Sequence, residues 1–410
     1  MVKTPKSLRL HIGLFGRRNV GKSSILNALV KQQVAIVSEQ AGTTTDPVEK
    51  VMELKPIGPV VFIDTAGVDD EGALGKARMD RTSKVLNRTE LAILVSDQWT
   101  DYESQLVALF RQKNIPFVMA ANKADLREDQ SLEKAAENVN VGLIATTTAP
   151  AGTGIDNLRQ AVIEATPEEF ISESPVISDL VKSGELVILV TPIDIEAPKG
   201  RLKMLQVHCM REILDAGGIA MVVKETELPS ALKLLNRQPH LIVTDSQVFN
   251  KCASITPPEV PMTTFSILMA RFKGRFDELA DGTQIIGSLK AGDKVLIAEA
   301  CTHHPIGDDI GREQIPRLLE RYVGGPLEIT VTAGRDFPDD LSRYKLIIHC
   351  GACVFNPKEM LWRIEQAVAA DVPITNYGMA ITYLQGDFTH AMEPLFAARR
   401  RTSETIETTV

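Results

Sequence analysis

Short apolar runs alternate with stretches of helical period along most of the chain. Leu10–Phe15, Val60–Asp64, Leu91–Val95 and Pro116–Ala121 are largely continuous in their hydrophobicity, the mark of parallel strands covered on both faces. A helical pattern over Ser24–Val30 follows the first of them. Around Glu168–Pro175 the composition turns acidic and turn-forming, which predicts a linker. Beyond it, Leu186–Val190, Ala220–Val223 and Leu241–Thr244 read as strands, separated by helical Arg201–Ala216 and Glu227–Asn236. Lys294–Ala300, Leu327–Thr332 and Tyr344–Ile348 are three more, followed by a helix over Pro357–Ala370. Strand–helix alternation of this kind is the grammar of α/β sheets. It predicts three α/β domains, at 1–170, 175–268 and 271–410, the last two smaller and parallel-sheeted. No sequence repeat links them, and the tail from Arg399 reads as frayed.

At 410 residues the chain is too long for one core. With 44% hydrophobic and 24% charged residues, it has the balance of a soluble globular protein. A net charge of −8 argues against nucleic acid as the main partner, since phosphate binding needs a basic footprint. No apolar stretch reaches the roughly eighteen residues of a membrane span, and the basic start Met1–Lys6 lacks an apolar signal region. The expectation is a cytoplasmic protein. Five cysteines, an odd number at low density, do not make a disulfide framework. Clustered cysteines in a reducing compartment point to metal or catalysis instead.

Gly16-x-x-x-x-Gly21-Lys22-Ser23 stands between the first predicted strand and the first helical pattern, the context a phosphate loop requires. Its glycines let backbone N–H groups curl round phosphates at a helix N-terminus. Lys22 is set to neutralise the β- and γ-phosphates and the Ser23 hydroxyl to ligate Mg²⁺, with Ser24 next in the nucleotide-binding set. Asp64-Thr65-Ala66-Gly67 ends a strand, Asp64 meeting Mg²⁺ through water and the Gly67 N–H facing the γ-phosphate. Asn122-Lys123-Ala124-Asp125 ends another. A carboxylate at Asp125 accepts both N–H groups of guanine's N1/N2 edge, which adenine does not offer, so GTP is favoured over ATP. Thr148-Ala149, ahead of Gly152-Thr153-Gly154, occupies the place of the last base-contacting loop, and Gly42–Asp46 fits the first switch with Thr44 on Mg²⁺. Lys22, Thr44, Asp64 and Gly67 form the expected catalytic set. This stretch resembles GTPases of the Era/TrmE kind. Val68 stands where Ras-like proteins have a water-orienting glutamine, so catalysis comes from elsewhere or stays slow. The resemblance implies that Asn19 helps hold a K⁺ beside the phosphates, and hence K⁺-stimulated hydrolysis of GTP to GDP and phosphate. Arg18 and Thr45 depart from the usual proline and arginine. Asp70 and Glu71 read as a solvated acidic loop.

Cys301-Thr302-His303-His304 and His349-Cys350-Gly351-Ala352-Cys353 hold three of the five cysteines and three of the seven histidines, and each directly follows an apolar strand. Sites in parallel sheets collect beyond the carboxyl ends of strands. Cys301 and Cys350 can therefore meet across the 48 residues between them. Cys350-x-x-Cys353 can chelate one centre. Cys209 and Cys252 lack such company and read as core residues. So, among the histidines, do His11, His208, His240 and His390. Three thiolates with a histidine suit tetrahedral Zn²⁺, and equally a [4Fe–4S] cluster with a weakly held fourth iron. Spacing does not decide between them.

The order GTPase motifs, middle α/β domain, Cys301-x-His303, 45 residues, then His349-Cys350-x-x-Cys353 resembles the HydF family of [FeFe]-hydrogenase maturation GTPases over essentially the full chain. The resemblance implies that Cys301, Cys350 and Cys353 bind a [4Fe–4S] cluster, with His303 and His349 at or near an exchangeable fourth position. It implies a scaffold that carries a diiron precursor, made with two radical-SAM maturases, to apo-[FeFe]-hydrogenase, GTP hydrolysis acting as a switch on partner binding. It also implies a homodimer or tetramer, with 175–268 as the dimerisation domain. The alternative is a ribosome- or tRNA-associated GTPase with a structural zinc domain. Acidic net charge counts against it, as does the lack of a basic, aromatic-interleaved segment near the cysteines. A redox or sulfur-transfer enzyme is a third reading, which no second nucleophile–base set supports.

Overall fold

The computed structural model describes residues 9–31, 48–65, 82–167, 175–192, 204–300 and 309–407. They belong to two compact units, Met1–Glu173 and Ser174–Val410. The first is built on a six-stranded sheet of order β2-β3-β1-β4-β5-β6. Its strands are β1 (Leu10–Phe15), β2 (Val48–Leu54), β3 (Gly58–Asp64), β4 (Leu91–Ser96), β5 (Phe117–Ala121) and β6 (Ile144–Thr146). β2 pairs antiparallel with β3, and all other pairs are parallel. Helices α1 (Lys22–Lys31), α2 (Asp101–Gln112) and α3 (Ile155–Glu164) supply its cover. Ile12, Leu14 and Ile93 pack with Ile25 and Leu29 of α1 and Leu158 of α3. Phe15, Ile63 and Leu94 pack with Leu106 and Phe110 of α2 in a separate cluster. Covering on both faces explains why β1 and β4 are apolar at nearly every position.

The second unit holds two four-stranded, wholly parallel sheets. One consists of β7 (Leu186–Val190), β8 (Ile219–Val223), β9 (Leu241–Thr244) and β10 (Met262–Thr264), in the order β8-β7-β9-β10. The other consists of β11 (Lys294–Ala298), β12 (Glu328–Thr332), β13 (Leu346–His349) and β14 (Ile374–Asn376), in the order β12-β11-β13-β14. Numbered within each sheet, both run second-first-third-fourth. The likeness extends to detail. Val190 faces Thr244 and Thr244 faces Thr264 in one sheet; Ala298 faces His349 and His349 faces Asn376 in the other. Thr264 and Asn376 each end a strand and cap the next helix, accepting from the N–H groups of Ile267 and Met379.

Helices α4 (Met204–Asp215), α5 (Phe265–Lys273), α6 (Pro357–Ala369) and α7 (Tyr377–Leu384) belong to this unit. One core spans both sheets, joining Ile188, Ile242 and Met262 to Leu296, Ile347 and Ile374. At the unit's start, the Glu212 carboxylate on α4 accepts the N–H groups of Val176, Ile177 and Ser178 at 3.0, 2.8 and 3.0 Å. Burial works to raise Glu212, but the bonds from His208 and these amides outweigh it and hold the carboxyl down to about 2. Among the described residues, no helix is long and apolar enough to cross a membrane.

Candidate functional site

In the first sheet the strand order reverses between β1 and β4, the switch point where α/β folds place ligands. β1 runs there into Gly16, whose φ is +147°, and a Cβ would stand 2.1 Å from the Val95 carbonyl oxygen. At Gly21, with φ +99°, a Cβ would meet Asn122 Nδ2 at 2.3 Å. Only glycine fits either place. Asn19 is exposed and left-handed, at φ 62°. Lys22 opens α1 and curls its ammonium over the loop, donating to the carbonyls of Gly16 and Arg17 at 2.6 and 2.9 Å. Ser24 is exposed in the same first turn. Ser23 Oγ donates to Asp64 Oδ2 at 2.6 Å, so the fold brings together two residues expected around Mg²⁺.

Asn122 joins three loops. Its Nδ2 donates to the Val20 carbonyl at 2.9 Å, while Oδ1 accepts from Thr147 Oγ1 and the Ala149 N–H at 3.1 and 3.2 Å. The Thr148 N–H closes its own loop on the Thr153 carbonyl at 3.0 Å. Asp125 lies exposed in the single turn Ala124–Leu126, open to an incoming donor. Thr44 with the rest of Gly42–Asp46, Gly67, Val68, Asp70 and Glu71 lie outside the described residues.

Two acids absent from the sequence reading wire this site. Asp97 accepts from Arg17 Nη2 at 3.0 Å and from Lys123 Nζ at 2.7 Å, tying the phosphate loop to the base motif. Glu103, fully buried, accepts from Arg17 Nε at 2.8 Å, Ser96 Oγ at 3.1 Å and the Thr100 N–H at 2.9 Å. Thr100-x-x-Glu103 is legible as a capping box at the start of α2. Its second use, on Arg17, is visible only in three dimensions.

In the sheet containing β11–β14 the order reverses between β11 and β13. There the Cys350 N–H donates to the Ala298 carbonyl at 2.9 Å, and the Ala300 N–H donates to Cys350 Sγ at 3.0 Å. The residue preceding Cys301 thus touches the sulfur of Cys350. Burial pushes the Cys350 thiol up, against the Ala300 bond. Cys353 is exposed, just past Ala352, whose φ is +50°. Cys301, His303 and His304 lie outside the described residues, and among the described residues no group of three metal-ligating side chains forms. Cys209 and Cys252 are buried in the core.

His349 is fully buried. Its Nδ1 is 2.8 Å from the Cys350 carbonyl and its Nε2 2.9 Å from Arg363 Nη1. Those partners assign the proton to Nδ1 and the lone pair to Nε2. Burial, with Arg363 next, pushes the imidazole down to about 3. Arg363, from α6, also donates to the Gly334 carbonyl at 2.6 Å and stacks between Phe337 and Phe355, 4.8 and 4.5 Å from their ring centres. Lys273, at the end of α5, donates to the carbonyls of Ala352 and Phe355.

Residues 11–123 match the family model described as a 50S ribosome-binding GTPase. Residues 176–274 match the hydrogen maturase F dimerization domain, and 277–394 the hydrogen maturase F tetramerization domain. The tRNA modification GTPase MnmE of Prochlorococcus marinus (strain NATL1A) is 39% identical over 153 residues, 36% of this chain and 33% of its own. GTPase Der of Wolinella succinogenes is 33% identical over 174 residues, 40% and 36% of the respective chains. Era of Aquifex aeolicus, a solved structure, aligns with 60% of this chain and 97% of its own at 18% identity and a TM-score of 0.31. That likeness is too slight to bear on the fold. The chain spans about a third of the length of the curated relatives it matches.

Proposed function

The chain belongs to the hydrogen maturase F family, and from that premise we propose that it is a GTP-hydrolysing iron–sulfur scaffold. It receives a diiron precursor from two radical-SAM maturases and delivers it to apo-[FeFe]-hydrogenase in the cytoplasm. The observation that carries this reading is the succession, in one chain, of a GTPase match and both hydrogen maturase F domains. Domain roles follow: 1–170 binds GTP, 175–268 dimerises, and 271–410 holds the cluster and extends assembly to a tetramer.

In the first domain Lys22 answers the β- and γ-phosphates, and Gly16 and Gly21 admit them to the backbone. Ser23 and Thr44 would hold Mg²⁺ with Asp64 supporting it, and the Gly67 N–H would answer the γ-phosphate. The Ser23–Asp64 bond supports that arrangement. Asp125 selects guanine, with Lys123, Thr148 and Ala149 around the base. Asn122 acts by holding those loops to the phosphate loop. Asn19 holds K⁺, which stimulates hydrolysis.

The donor chemistry of the third domain fits an iron–sulfur cluster. Two thiols stand at a sheet's switch point, one already receiving a backbone N–H, and Cys301 adjoins the residue that gives it. Cys301, Cys350 and Cys353 hold the cluster, with His303 and His349 near its fourth position. When bound, the [4Fe–4S] cluster supplies one-electron redox chemistry and an open iron site.

The test is the iron, acid-labile sulfide and zinc content of protein purified without oxygen, with EPR after dithionite reduction. About four irons and four sulfides per chain with a reduced-cluster signal are expected. Stoichiometric zinc that survives reconstitution with iron and sulfide would overturn the reading and leave a GTPase with a structural zinc domain.

A further inference from the structure

We propose that Arg363 and Lys273 are the buried counter-charges of the centre held at Cys350 and Cys353, and that His349 serves Arg363 rather than iron. The proposal rests on the cluster reading above and assigns it positioning residues.

A cation taken out of water needs a compensating negative charge close by. Arg363, 1% exposed, is such a cation; Lys273, 2% exposed, is buried against the loop that carries Cys353. Arg363 makes no ion pair with a carboxylate among the described residues. Glu359, the acid that influences it most, is paired with Arg335 at 3.1 Å. The donors of Arg363 end on neutral acceptors, His349 Nε2 and the Gly334 carbonyl, and its Nε has no partner. Phe337 and Phe355 close off its two faces from water. Lys273 aims at the carbonyls of Ala352 and Phe355, which bracket Cys353. Two positive charges are thus sealed against one thiol loop.

Thiolates at Cys350 and Cys353 make the site anionic, and taking up one electron makes it more so. Cations fixed beside it favour the reduced form and raise its potential, and they lower the repulsion between thiolates as the site is filled. Arg363 can do this only while something holds its guanidinium inward. His349 does so: its Nδ1–H donates to the Cys350 carbonyl, which turns the Nε2 lone pair towards Arg363.

The experiment is a potentiometric EPR titration of the reconstituted full-length protein, with dithionite as electron donor. It compares wild type with Arg363→Gln, Lys273→Met and Arg363→Lys. At the potential where half the wild-type cluster is reduced, Arg363→Gln and Lys273→Met should each lower the reduced-to-oxidised ratio about tenfold, 59 mV for a one-electron couple. Arg363→Lys, which keeps the charge, should stay within about threefold. Unchanged potentials in Arg363→Gln and Lys273→Met, with iron and sulfide content intact, overturn the proposal. Equal displacement in Arg363→Gln and Arg363→Lys does so as well, since shape rather than charge would then matter. If Arg363→Gln fails to fold, Lys273→Met decides. His349→Gln should keep four irons and four sulfides and shift the potential in the direction of Arg363→Gln; loss of cluster iron there returns His349 to the ligand set. A wild-type protein without sulfide fails differently: it removes the cluster reading itself.

Discussion

Truncating Glu103 tests whether the first unit is wired through a buried acid. Glu103→Ala removes the acceptor of Arg17 Nε, of Ser96 Oγ and of the Thr100 N–H. Breaking a buried ion pair by deleting one partner costs about 3–5 kcal/mol. The Arg17 side chain is 23% exposed and water can reach it, which points to the lower end of that range. Loss of the reciprocal cap adds about 1 kcal/mol, for a total of about 4 kcal/mol. Glu103→Gln keeps a neutral acceptor and should forfeit about 2 kcal/mol. At 1.36 kcal/mol per decade, amides of α2 should exchange with deuterium roughly a thousandfold faster in Glu103→Ala and about thirtyfold faster in Glu103→Gln. Asp97→Asn is the comparison. Its carboxylate is 24% exposed, so its stability effect should stay near 1 kcal/mol or below. It nevertheless releases both Arg17 and Lys123 and should weaken GDP binding measured by calorimetry. Exchange of α2 in Glu103→Ala no faster than in Asp97→Asn would refute the reasoning.

Three further outcomes are expected. Lys22→Ala should abolish GTP hydrolysis and leave metal content intact, and Cys350→Ala the reverse; metal loss in Lys22→Ala would show that the two sites are not separable. Hydrolysis should run faster in KCl than in NaCl, and equal rates would remove the K⁺ role of Asn19. Glu212 is held at about 2, below its ordinary 4.5, so its contribution is present above pH 4.5 and lost as pH falls towards 2. That contribution is about 3 kcal/mol. The melting-temperature gap between wild type and Glu212→Gln should hold from pH 7 to 5 and close below pH 4.5. A gap independent of pH would mean that the carboxylate's charge is not what binds the three amides.

Strands covered on both faces were legible because burial makes them uniformly apolar: β1, β7 and β9 have the expected bounds. β2 was not, since its Val-Glu-Lys-Val-Met-Glu-Leu run carries charge on an edge. β10 and β14 escaped for another reason. Each is three residues long and ends in the residue that caps the next helix, so strand and cap signals overlap. In the nucleotide site the motifs announced the described loops at Gly16–Ser23, Asn122–Asp125 and Thr148–Gly154, because nucleotide binding dictates local spacing. Asp97 and Glu103 could not be announced, for their partner Arg17 lies some eighty residues away. At the cysteines, the pairing of β11 with β13 brings Ala300, the residue before Cys301 in sequence, to the sulfur of Cys350. The burial of Arg363 left no mark, since a cation inside a helical pattern reads as a solvated one.

The like winding of β8-β7-β9-β10 and β12-β11-β13-β14 gives the second unit an internal reference. By register, Thr244 stands where His349 stands, and Asp245 follows it where Cys350 follows His349. A crevice at the strand ends and a capped helix beside it come with the winding, and both halves have them. The thiol loop after the third strand does not: where Cys350 follows His349 in one half, Asp245 follows Thr244 in the other. The module is kept twice and armed once. Transplanting residues from the armed copy into the plain one would separate, within a single polypeptide, what the scaffold contributes to metal capture from what its side chains add.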